Sequence, residues 1–171
     1  MEIAAQSRLK STLEQLAARE IGARSWVGPK PTGDPVIAMI ASNVGLNAHG
    51  READFHSLTA NDASIWLTLF ATQSLLGSGV PIPAGTHEEI SECLGALGSD
   101  AQFFSKGVWQ QTRSGKHYEP VSSKSGWDRR RHRLHFQRNG EPLPPIDVMV
   151  DGGLIGFDTT TAFVFWLDED D

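Results

Sequence analysis

The 171-residue chain has a single cysteine, Cys93, so no internal disulfide can form, and this usage points to a reducing compartment. Long apolar runs are also missing. Val36 to Ala41, one of the two longest, falls far short of the roughly 20 residues that a membrane-spanning helix needs. The N-terminus carries Glu2, Glu14 and Glu20 in a helical pattern, where a secretory leader would be basic and then apolar. A soluble, cytoplasmic protein with no membrane partner is the expectation. The chain has no Gly-x-Ser-x-Gly elbow, no phosphate-binding Gly-Lys-Ser/Thr loop and no dinucleotide fingerprint, so no cofactor is expected. No internal repeat or low-complexity linker divides it.

What is present describes a globular protein. Hydrophobic residues make up 39% of the chain, charged residues 21%, and there are five Trp. A chain of this length buries roughly 70% of the surface it exposes when unfolded, enough for one core without a staple. The spacing predicts a single α+β domain over 1–171, helix-rich over 1–106 and β-rich over 107–171. N-terminal helices with a short strand pair come first, followed by a mostly antiparallel sheet of hairpins.

Leu9, Leu13, Leu16 and Ile21 share one face of a first helix, from about Glu2 to Ile21, with Gly22 as its stop. Pro29, Pro31, Gly33 and Pro35 interrupt regular structure. Val36 to Ala41 then reads as a strand buried on both faces, and Glu52 to Ser57 as a half-buried one. Thr59 caps a core helix from about Ala60 to Leu76, which carries Trp66 and Phe70. Thr86 and Glu89 have the spacing of a capping box for a third helix, where Ile90, Cys93, Leu94 and Leu97 form one face and Gly98 the end. A short helical turn is expected at Ala101 to Ser105.

The β-rich part begins after Gly107. Val108 to Arg113 and Lys116 to Val121 flank a Ser114-Gly115 hairpin turn. Asn139-Gly140 marks a second hairpin, joining Arg129–Arg138 to a partner strand near Ile146–Val150. A turn at Asp151-Gly152-Gly153 leads to Leu154–Phe157, and Thr161–Leu167 is the last, strongly apolar strand.

Histidine and carboxylate chemistry leaves only weak candidates. His49 and His56 lack zinc-ligand spacing, and His87 has no second His at position 91. His132 and His135, three apart in a strand, point to opposite faces and cannot chelate together. Asp147, Asp151 and Asp158 are too sparse for a calcium loop, and turn chemistry accounts for them. Neither a metal site nor a catalytic residue is assigned. A small nuclease using Lys116, His117 and one of His132 or His135 remains an alternative, because acid-base cleavage needs little more than two imidazoles and a cation.

Charge is distributed far less evenly than hydrophobicity. Residues 113–138 hold eight basic residues against two acids, a formal charge of +6, whereas the rest of the chain stands at −12 and the whole at −6. Within the basic segment, Arg129, Arg131, Arg133 and His135 alternate along one face of a strand, with Trp127 beside it as a candidate interface aromatic. Such a ridge suits phosphates or an acidic protein, although an exposed edge strand also carries charge to avoid pairing. At the C-terminus Asp168, Glu169, Asp170 and Asp171 could enter a basic groove in place of phosphates, or simply be solvated.

The segment Leu58-Thr-Ala-Asn-Asp-Ala-Ser-Ile-Trp-Leu-Thr-Leu-Phe-Ala71 resembles the strand-to-helix junction of plasmid antirestriction proteins, where a polar cap followed by Asp-Ala opens an apolar helix. The likeness is confined to that junction, under a tenth of the chain. What it implies, an inhibitor of a host DNA-processing complex, agrees with the charge pattern. The expected function is a small acidic, non-catalytic interaction protein that binds and inhibits or masks a basic, nucleic-acid-handling partner, of the anti-defence or immunity type. A direct nucleic-acid binder using residues 129–138 is the alternative, with the net charge of −6 against it.

Overall fold

A computed structural model describes residues 2–19, 22–73, 75, 81–106, 108–111, 114, 118–121 and 149–170. The protein is α+β, with its helices largely preceding its strands. The helices are α1 (Glu2–Arg19), α2 (Val36–Ser42), α3 (Ala60–Thr72) and α4 (Thr86–Leu94). The strands are β1 (Ala23–Pro29), β2 (His56–Leu58), β3 (Gln102–Lys106), β4 (Val108–Gln111), β5 (Tyr118–Val121), β6 (Met149–Phe157) and β7 (Thr161–Asp170). Five of them form an antiparallel sheet in the order β1-β7-β6-β3-β2, and β4 pairs with β5 separately.

Strand β7 is apolar because both of its faces are covered. Phe163, Phe165 and Leu167 pack with Leu154 against α1, α3 and α4. Ala162, Val164 and Trp166 point the other way, joining Ile155, Phe157 and α2. This alternation is the two-residue period of a strand set between two layers. Leu9, Leu13 and Leu16 are the buried stripe of α1, as their spacing predicts. Gly22, at φ 87°, then turns the chain into β1, where a Cβ would run into the Asp168 carbonyl oxygen.

Thr59 caps α3 as expected, its hydroxyl accepting from the Asp62 amide at 3.1 Å. Along this helix Ser64, Thr68 and Thr72 donate to the carbonyls four residues back, at 3.2, 2.7 and 2.7 Å, which lets Ser64 and Thr68 be buried. Phe70 is fully buried, whereas Trp66 packs on the core while only half-buried. Leu75 remains in the core beyond the helix end.

Several local expectations fail for identifiable reasons. Val36–Ala41 is helix, not strand: a short apolar run suits either, and here Ala38, Ile40 and Ala41 bury one side against β6 and β7. Glu52–Asp54 forms a 3₁₀ turn, leaving only His56–Leu58 extended. The Thr86–Glu89 capping box does not form. Gly85, at φ 82°, occupies the cap, and Thr86 is a buried first-turn residue with no side-chain cap bond. The helix ends at Leu94, with Gly95 rather than Gly98 following it. Gln102–Lys106 is a strand instead of a helical turn, held between β2 and β6.

Gly152 and Gly153 lie inside β6 and make no turn. They read as turn formers, yet their role is close packing: a Cβ on Gly152 would meet the Phe70 ring at 3.0 Å, and one on Gly153 would strike the Phe165 carbonyl and the Trp166 ring. The predicted hairpin partners pair as β4 and β5. The Asn139-Gly140 turn and the Arg129–Arg138 strand lie outside the described residues.

Urea denaturation should rank these contributions. Phe70→Ala should lose about 3 to 5 kcal/mol through lost burial and a cavity, and Thr59→Ala about 1 kcal/mol through loss of the cap. Equal losses, or a negligible one for Phe70→Ala, would contradict this packing.

Candidate functional site

The face of the sheet that carries Trp166 ends in charge. Arg24 of β1, Asp168 of β7, Asp151 of β6 and Lys106 of β3 stand on four adjacent strands. Register puts them on one face: Asp151 lies opposite Asp168, Arg24 opposite Trp166, and Lys106 opposite Gly153. Each cation reaches the carboxylate of the neighbouring strand diagonally, giving the pairs Arg24–Asp168 and Lys106–Asp151. The result is a row reading plus, minus, minus, plus across the sheet. Arg24 also donates to the Val44 carbonyl, tying the row to the chain after α2.

Burial makes these pairs matter more than surface ones. Lys106 is only 7% exposed, and its ammonium lies 5.9 Å from the centre of the Trp166 ring, against which Phe55 packs at 5.8 Å. An ammonium over an aromatic face is attracted by the ring quadrupole while it pairs with a carboxylate. Beside it, Arg51 holds Asp54 at 2.9 Å. Between these groups lies a cavity of about 30 Å³, lined by Asn47, Arg51, Asp54, Lys106, Asp151 and Trp166 among others. That is room for little more than a water molecule. The Trp166 indole N–H is buried without a hydrogen-bond partner.

Asp168 has a pKa raised above its usual value, chiefly by burial and further by the Asp151 charge, with Arg24 and Lys106 opposing. A carboxyl whose folded pKa is raised favours folding most at low pH, and that contribution is lost as pH rises through the folded value. Chemically, the row keeps its charges in matched pairs and presents none of them to a cavity of substrate size.

Of the candidate binding residues read from the sequence, Asp168, Glu169 and Asp170 fall among the described residues. Asp168 is half-buried and ion-paired within β7, and the backbone of Glu169 and Asp170 continues that strand. Arg129, Arg131, Arg133, His135, Trp127 and Asp171 lie outside the described residues, as do His117, His132 and Asp147. Asp151 and Asp158 sit seven residues apart along β6 and its exit, roughly 23 Å at the rise of a strand, and so cannot share an ion. Among the described residues, no group of three or more His, Cys, Asp or Glu is placed to hold a metal. His49 is exposed, whereas both ring nitrogens of His56 are buried without partners, and burial lowers its pKa.

Sequence reading missed Arg24, Lys106 and the pairing of Asp151. Arg24 and Asp168 are separated by 144 positions, and only the strand register brings them together. Comparison with protein-family models, with curated proteins and with solved structures finds no match for the chain. The resemblance of Leu58–Ala71 to an antirestriction junction therefore stays local.

Asp151→Asn removes the carboxylate opposite Asp168 and leaves Lys106 without its partner, so the Asp168 titration should move to lower pH. Carbon-detected NMR of the carboxyl groups measures this directly. No movement would show that the two strands' charges do not interact.

Proposed function

We propose that this is a non-catalytic interaction protein that binds a basic, nucleic-acid-handling protein and inhibits or masks it, in the manner of an anti-defence or immunity inhibitor. The observation that carries this reading is the separation of charge, −12 outside residues 113–138 and +6 within them. The way the described residues use their cations adds support. Seven basic residues lie outside that segment, and five of them, Arg8, Lys10, Arg24, Arg51 and Lys106, are in ion pairs with carboxylates of the same chain. Asp34, Glu88, Glu89 and Asp100 are exposed and make no ion pair among the described residues. Their field is available to a basic partner, and complementary fields of this kind speed encounter and select among partners.

Direct binding of nucleic acid is the second reading, favoured by the +6 of residues 113–138. The two readings assign the binding energy to opposite charges. Affinity capture from the host followed by mass spectrometry identifies the partner, and charge reversal then discriminates between them. Glu88→Lys with Glu89→Lys should weaken the captured complex at least about tenfold, equivalent to roughly 1.4 kcal/mol, with circular dichroism unchanged. Full affinity in that variant, together with salt-sensitive binding of plain duplex that Arg129→Glu, Arg131→Glu and Arg133→Glu abolish, would replace the masking reading with the nucleic-acid one.

A further inference from the structure

A groove of about 470 Å³ opens where the first turns of α1, the connection from α4 to β3 and the β6–β7 hairpin meet. Its volume falls within the roughly 300–1,000 Å³ typical of sites for small ligands or inserted side chains. Ala5, Leu9, Ala96 and Leu97 give it an apolar wall, and Gln6 and Thr159 add polar groups.

The electrostatics of the groove have one sign. Asp158 lines it, and Asp100 stands beside Gly98, which also lines it. Asp100 Oδ1 and Asp158 Oδ2 lie 2.6 and 3.5 Å from the point where a Gly98 side chain would begin. Among the described residues, neither carboxylate is in an ion pair and no Lys, Arg or His lines the groove.

Asp158 is fixed in place by the chain itself. Its Oδ2 accepts from the Gly98 amide at 2.8 Å, and its Oδ1 accepts from the Thr160 and Thr161 amides at 2.8 and 2.7 Å and from the Thr160 hydroxyl at 3.2 Å. Burial would raise its pKa, but these hydrogen bonds outweigh burial and hold the carboxyl below its usual range. Three of the four donors go to Oδ1 and one to Oδ2, so Oδ2 keeps an acceptor position beside its charge.

We infer that this groove receives an arginine or lysine side chain of the basic protein partner, the apolar stem lying along Leu9 and Leu97 and the cationic head toward Asp158 and Asp100. Long basic side chains join an apolar stem to a charged tip, and the groove presents those two surfaces in the same arrangement. An anionic occupant would meet Asp158 in the wall and Asp100 beside Gly98, with no cation among the described lining residues. This inference rests on the interaction reading above, to which it adds a point of contact.

The test begins without the partner. Acetyl-Arg-Arg-amide and its neutral analogue acetyl-citrulline-citrulline-amide are titrated into the full chain, and the methyl resonances of Leu9 and Leu97 are followed by NMR. Saturable shifts are expected with the arginine peptide, with affinity about tenfold above that of the citrulline peptide. Thr159→Lys, which places a cation at an exposed rim position, and Ala5→Phe, which fills the groove from α1, should each abolish the shifts. Absent shifts, or equal affinity for the two peptides, would overturn the inference and leave the interaction reading standing. Thr159→Lys should also weaken the captured complex, and an unchanged complex would overturn the groove as a partner contact. If charge reversal at Glu88 and Glu89 has no effect and plain duplex is bound in the salt-sensitive way described above, while the peptide still occupies the groove, the interaction reading fails instead.

Discussion

The pairing of β6 with β7 is the constraint on which the rest of the structure depends. Nine consecutive residue pairs, from Met149 with Asp170 to Phe157 with Ala162, place these strands at the centre of the sheet. They supply the outer edges to which β1 and β3 bond, and both hydrophobic clusters draw on their side chains. The turn between them is locked by Asp158, whose carboxylate accepts from Thr160 and Thr161 and also from Gly98 beyond α4. One side chain therefore closes the hairpin and fastens a helical layer to it. Glycine is required where the packing is tightest, since Gly153 has no room for a Cβ between the Phe165 carbonyl and the Trp166 ring.

Covering both faces of a sheet leaves its polar groups few places to go. At the end where β7 runs out to Asp168, four strands deliver a charge each, and alternation puts all four on one face. Arg24 and Lys106 flank the two carboxylates, so the like charges of Asp151 and Asp168 are each matched from outside. A buried charge left unmatched would be strongly destabilising, which explains why the buried Lys106 is paired with Asp151. The consequence for function is indirect. The row withdraws two cations together with two carboxylates, so the net charge of the remaining surface is unchanged, and Glu88 and Glu89 of α4 stay exposed outside any ion pair among the described residues.

Much of this was legible in the sequence, and the exceptions share a cause. The stripe of α1, the Thr59 cap, the face of α4 made by Ile90, Cys93 and Leu94, and the apolar strand β7 follow from period and local chemistry. Val36–Ala41 could not be decided, because an apolar run is compatible with helix and strand until a neighbour is chosen. Gly152-Gly153 and Thr86–Glu89 carry strong local signals that tertiary packing and Gly85 override. The charge row and the groove were not legible at all. Their residues come from elements far apart in sequence, and only the strand register and helix docking bring them together. The charge separation, by contrast, needs no fold to be read.

Opposite charge as the force that brings the partner in is tested most directly by the association rate of the captured complex, followed by stopped flow as salt is raised. Encounter steered by the −12 that lies outside residues 113–138 should slow steeply as the Debye length contracts from about 30 Å at 0.01 M to about 8 Å at 0.15 M, with dissociation far less affected. An association rate that does not change across that range would contradict electrostatic recognition and leave the charge separation without a role in binding.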